Sequence, residues 1–195
     1  MDGRHGVADL VSLLRKAYSG ELAAALAYRG HANSVRDPAE RDRILEIEGE
    51  EYHHRDLVGG ILARLGSAPS PAKDRRARAV GNVLAFLCHV TGHLLPMWGA
   101  GRLEKGNIRE YEVAARWAVE AGRPEFVDCL LGMAEVEWEH EFYFRSRVRA
   151  SPLARFVPIW APPPPKSEIR ASFERETGIP STSPLPARGA TVAVR

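Results

Sequence analysis

Apolar residues return every third or fourth position near the start of the chain: Val7, Leu10, Val11, Leu14, Tyr18, Leu22, Ala25 and Leu26. That rhythm is helical and predicts a first helix over 7–35. Glu21 sits on the same arc as Tyr18, Leu22 and Ala25, so this helix aims a carboxylate at the core. Asp37-Pro38-Ala39-Glu40 then reads as a helix start. Asp stands at the N-cap, Pro at the first helical position, and Glu at the third, where it closes a capping-box-like pair. The second helix runs to about Leu65 and stops at Gly66, and Pro69 and Pro71 bar its continuation. From Val80 to Gly101 the chain is largely apolar, after a basic preface over 73–78. Pro96 lacks an N–H and its ring crowds the preceding turn, which predicts a break there, between a third helix over 73–95 and a fourth over 97–121. Gly122 and Pro124 turn the chain into a fifth helix over 124–149, ended by Pro152.

Beyond Ser151 the pattern changes. Pro162 to Pro165 form a polyproline run that must be extended, a short helix fits 166–177, and 180–195 reads as a disordered tail. The 195 residues therefore divide into a helical bundle over 1–150 and a Pro-rich, largely irregular tail over 151–195. A net charge of +2 gives no reason to expect a nucleic-acid partner. Two cysteines, Cys88 and Cys129, make no disulfide framework and fit a reducing cytoplasm. Polar residues interrupt every apolar stretch near the N-terminus, so no signal peptide is expected, and no apolar window is long enough to span a bilayer.

The chemistry lies in two Glu-x-x-His signatures, Glu51-Tyr52-His53-His54 and Glu137-Trp138-Glu139-His140. Positions i and i+3 share a helix face, so each pair presents a carboxylate and an imidazole together. Two such pairs, with one inward Glu from each of two further helices, make the ligand set of a ferritin-like di-iron or di-manganese bundle. Glu21 is the candidate on helix one. On helix four, Glu104, Glu110 and Glu112 compete, and spacing alone does not choose among them. Glu104, Tyr111 and Ala115 share an arc, whereas Glu112 lies about 80° from Glu104, so one of the two at most faces the centre. Glu51 and Glu137 would bridge two metals, the other two carboxylates would be terminal, and His54 and His140 would give each metal one nitrogen. Four buried carboxylates without cations would be costly or protonated, which is the physical case for metal. Glu50/His53 overlaps the first signature, and a Glu-x-x-His on a helix surface is common. His5, His31, His89 and His93 fit surfaces or satisfied polar positions, with His89 and His93 a weak second metal pair.

The stretch Gly20 to Gly30, in which Glu21 is followed seven residues on by Tyr28 and then by Gly30, resembles the first-helix motif of the demethoxyubiquinone hydroxylases. The likeness continues through Glu51-x-x-His54, Leu103-Glu104 with Ile108 and Tyr111, and Glu137-Trp138-Glu139-His140, over about residues 10–149. It implies an all-α, ferritin-like four-helix bundle with an extra or broken helix. It further implies two irons, Glu104 as the third carboxylate, and oxygen-dependent hydroxylation of a quinone-like ring with electrons ultimately from NADH. Two departures stand out. Glu110 occupies a position where the family usually carries His, and the chain turns Pro-rich after Arg149 where the family continues into further helices.

The function expected from these features is a di-iron monooxygenase acting with O2 on an apolar, quinone-like small molecule. Tyr28 and Tyr111 would donate to ligand carboxylates or relay electrons, their alternative being ordinary core aromatics. Manganese suits the same ligands. The basic preface and apolar stretch over 73–101 could rest on a membrane surface, or form a buried helix pair; a cytoplasmic or membrane-peripheral location and a homodimer are both compatible with the sequence. The competing functions are iron oxidation or peroxide reduction without an organic substrate, against which the chain lacks any Cys-x-x-Cys, and a non-catalytic helical scaffold.

Overall fold

The amphipathic stretches fold, in a computed structural model that describes residues 3–181 (side chains from residue 6), into six α-helices with no strand among the described residues. These are α1 (Gly3–Ser34), α2 (Pro38–Arg64), α3 (Pro71–Val90), α4 (Leu94–Glu120), α5 (Val127–Ala150) and α6 (Lys166–Thr177), with short 3-10 turns at Pro124–Phe126 and Ala154–Phe156. Helix α1 packs on α2, α3 and α4, and α4 packs on α5. The architecture is all-α: a ferritin-like bundle of α1, α2, α4 and α5, with α3 as the extra helix against α1.

The helix ends follow local chemistry, with corrections to the sequence expectations at Glu40 and at Pro96. Asp37 accepts from the Ala39 N–H at 3.1 Å as expected, but Glu40 turns away to accept from Arg147 Nε at 2.8 Å. Ser70 caps α3 and Pro71 occupies its first turn, so the proline that stops α2 also starts α3. The break expected at Pro96 falls earlier, where Gly92 adopts φ +73° between α3 and α4. Pro96 is the third residue of α4, in the first turn, where its missing N–H has no helical acceptor to lose. Of the tail, α6 forms as expected over 166–177, and residues 182–195 lie outside the described residues.

The core has two apolar clusters. One gathers Leu14, Leu62, Tyr111, Leu130 and Phe126, with Ile169 and Phe173 added by α6. The other gathers Tyr28, Ile44, Ile47, Met97, Phe144 and Val148. Along α1 the order is Leu14, Glu21, Tyr28, so the buried carboxylates form a polar layer between the clusters. The segment after α5 is tied back across the bundle. Indole N–H groups of Trp98 and Trp138 donate to the carbonyls of Pro158 and Pro164, and Lys105 Nζ donates to that of Ala161. The Trp160 ring fills the space over Gly101, where an added Cβ would lie 2.5 Å from it.

Helix α3 approaches α1 closely at Gly30, where a Cβ would lie 2.4 Å from the Ala85 backbone. Relief there requires moving α3. Gly30→Ala is expected to lower stability by about 1–3 kcal/mol despite the better helix propensity of Ala, read as a lower denaturant midpoint. An unchanged or raised midpoint would show that α3 is free to shift.

Candidate metal centre

Each bundle helix contributes to the polar layer. Glu21 comes from α1, Glu51 and His54 from α2, Glu104 from α4, and Glu137 and His140 from α5; all six are buried. They form two overlapping groups, Glu21/Glu51/His54/Glu137 and Glu51/Glu104/Glu137/His140, in each of which the ligand atoms lie within 4.8 Å of one another. Glu51 and Glu137 are common to both groups. His54 Nδ1 lies 3.0 Å from Glu137 Oε1, and His140 Nδ1 lies 3.0 Å from Glu51 Oε1 and 3.6 Å from Glu137 Oε2.

Two tyrosines cross the bundle reciprocally. Tyr28 of α1 donates to Glu104 of α4, and Tyr111 of α4 donates to Glu21 of α1. Asn107 Nδ2 also donates to Glu104 Oε2, at 2.8 Å. Inside this shell the polar atoms are poorly satisfied. Oε2 of Glu21 and Oε2 of Glu51 have no hydrogen-bond partner, and Nδ1 of His140 is shared between Glu51 Oε1 and Glu137 Oε2. Orphaned, buried oxygens converging on one another are costly unless a cation fills the space between them. The donor set, carboxylates plus imidazole, suits iron or manganese.

The titration behaviour reflects that crowding. Burial, then repulsion from Glu137, pushes Glu51 and Glu104 well above the usual carboxylate range, and burial pushes Glu21 up as well. Burial acts the same way on Glu137, but hydrogen bonds with His140 and His54 outweigh it and hold Glu137 below the usual range. His140 is raised well above an ordinary imidazole because its carboxylate partners overcome its burial. Without metal, then, the layer holds protons; two divalent cations would displace them.

Beside the layer lies a cavity of about 530 Å³ between α1, α3 and α4. Glu21, Glu104, Tyr28 and Tyr111 form its inner wall, and Ala24, Ala27, Leu84, Leu87, Leu95 and Leu103 line much of the rest. Lys16 and Glu110 pair at one side of it.

The six candidate ligands named from sequence are brought together in the two groups, and Tyr28 and Tyr111 adjoin them through Glu104 and Glu21. The competing choices separate as follows. Glu110 pairs with Lys16 and Glu112 is half-buried away from the cluster, leaving Glu104 in the layer. Glu50 is no member of the cluster; its Oε2 lies 2.8 Å from Nε2 of His140, on the ring edge facing away from the other carboxylates. His31 corrects the expectation of a surface or satisfied histidine. It is buried against Phe144 with Nε2 unpartnered, and burial lowers its pKa to about 4. Sequence reasoning passed over Asn107, although its place three residues after Glu104 put it on the same face.

The chain is 28% identical over 186 residues to the 3-demethoxyubiquinol 3-hydroxylase of Bordetella parapertussis, covering 93% of this chain and 67% of that protein. The enzyme of the same name from Bordetella petrii is 30% identical over the same share of this chain and 66% of its own length. A shorter match, 36% identical over 58 residues, joins it to the corresponding Francisella tularensis subsp. novicida enzyme, over 30% of this chain and 28% of that one. The chain thus spans about two thirds of the length of its Bordetella relatives. No family model and no solved structure matches it.

Proposed function

We propose that this demethoxyubiquinone hydroxylase-like chain is a di-iron, O2-dependent hydroxylase of an apolar, quinone-like small molecule. One observation carries the reading: four carboxylates and two imidazoles converge in a buried layer, with unsatisfied oxygens, beside an apolar cavity. The likeness to hydroxylases over 93% of the chain supports it. Glu21, Glu51, His54, Glu104, Glu137 and His140 would hold the metals, with iron favoured over manganese by the likeness.

Two irons would supply oxygen activation, using two electrons from an external donor, ultimately NADH. Tyr28 and Tyr111 hold Glu104 and Glu21 in place through their hydroxyls. The apolar walls exclude water and keep a ring beside Glu21 and Glu104. The reaction balances as C–H plus O2, two electrons and two protons giving C–OH and water. The test is to load the chain with Fe(II) anaerobically, then supply a short-chain demethoxyquinol, a reductant and 18O2. The expected product carries one 18O atom in its new hydroxyl. Oxygen consumption with no labelled product would leave iron oxidation as the activity.

The cavity opens beside an exposed apolar stripe. Val80, Val83, Leu87 and Val90 recur at helical spacing on α3, Lys73 and Arg76 continue the stripe toward its start, and Leu95 and Leu103 are exposed nearby on α4. No described helix is long and apolar enough to cross a membrane. The stripe suits a bilayer surface, which would present an apolar substrate to the cavity. Binding to vesicles containing anionic lipid is expected to weaken in Lys73→Glu and Val83→Glu, by roughly 1 kcal/mol for the lost basic residue. Equal sedimentation of wild type and both variants would exclude this face as the contact.

A further inference from the structure

The two halves of the metal centre are built alike but supported differently. Glu104 accepts from Tyr28 on one oxygen and from Asn107 on the other. Its counterpart Glu21 accepts from Tyr111 on one oxygen, while Oε2 has no partner, and the residue three positions on is Ala24. The outer ring nitrogen of His140 meets Glu50, the residue just before Glu51. The residue in the same place before Glu137, across from His54, is Val136.

From this we infer that the two metal positions are unequal, and that the one made by Glu104 and His140 fills first and binds more tightly than the one made by Glu21 and His54. The inference rests on the metal reading proposed above. A ligand already held in one rotamer has less freedom left to lose when the metal arrives. Hydrogen bonds to Glu104 leave lone pairs on both oxygens for a cation. A carboxylate on the far nitrogen of a ligand His fixes the ring and makes the near nitrogen a stronger donor. Asn107 and Glu50 are therefore positioning residues, and loss of such a partner typically costs 10- to 100-fold, i.e. roughly that range, in metal affinity.

Anaerobic titration calorimetry with Fe(II) tests this without reference to activity. Wild type is expected to show two steps, the first about 10- to 100-fold tighter. Asn107→Ala and Glu50→Ala should weaken the first step toward the second and leave the second in place. Val136→Asp, at a half-buried position, should tighten the second step by supplying the missing carboxylate. This variant adds a partner, so its reading does not depend on tolerating a deletion. Two equal steps in wild type, or variants that weaken both steps alike, would overturn the inference while leaving the metal reading intact. No uptake at either step would overturn both.

Discussion

Glu137→Ala is expected to abolish metal loading at both positions, whereas Glu21→Ala should spare one. Glu137 belongs to both ligand groups, and Glu21 to only one. Both histidines also meet it: His54 Nδ1 at 3.0 Å from Oε1, His140 Nδ1 at 3.6 Å from Oε2. Removing it deletes a shared ligand and releases both rings from the carboxylate that orients them. The affinity loss should exceed the roughly 100-fold upper value for losing a partner outside the ligand shell. Anaerobic Fe(II) titration with metal analysis reads the result directly: two irons per chain in wild type, one in Glu21→Ala, none in Glu137→Ala. Glu112→Ala is the control, since Glu112 is half-buried outside the cluster. Two irons retained by Glu137→Ala would dismiss the centre as the binding site.

The sequence carried most of this centre because a helix turns spacing into direction. Glu51/His54 and Glu137/His140 each sit three residues apart, and the core face of α2 and α5 is set by the same periodicity that marks Ile47, Val58, Leu130 and Phe144. Where direction depends on a partner helix, spacing fell short. Helix α4 offers Glu104, Glu110 and Glu112, and the rotation that buries Glu104 is fixed by packing on α5 and α1. The role of Glu50 was hidden for the same reason, since its partner His140 is 90 residues away. Pro96 misled in a different way. A proline reads as a break, yet in a helix's first turn it is a start signal, and the break itself belongs to Gly92. His31 sits beside Phe144, a neighbour from another helix that no local pattern announces.

Glu51→Gln is expected to make the metal-free protein more stable near neutral pH and the metal-loaded protein less stable, so that the two stability orders cross. In the metal-free state, burial and then the charges of Glu137, Glu21 and Glu104 raise the folded pKa of Glu51 well above its unfolded value. The sign follows from proton counting. Above the unfolded pKa the unfolded chain has lost this proton while the folded chain still holds it, so stability falls as pH rises toward the folded pKa. The slope for one such proton is about 1.4 kcal/mol per pH unit. Gln carries no charge to repel and no proton to lose, so the gap in favour of the variant should open above about pH 4.5 and widen with pH. Metal inverts the balance. A cation that binds the folded state alone stabilises it by RT ln(1 + [L]/Kd), about 4 kcal/mol at a thousandfold excess over Kd. The variant, lacking one shared anionic ligand, forgoes most of that gain. Chemical denaturation of both proteins at pH 5, 6, 7 and 8, with chelator and with Fe(II) under anaerobic conditions, measures all four curves. A variant that is less stable than wild type in chelator at pH 8 would mean that Glu51 is stabilised by contacts within the protein, and that the crowded carboxylates do not need a cation to coexist.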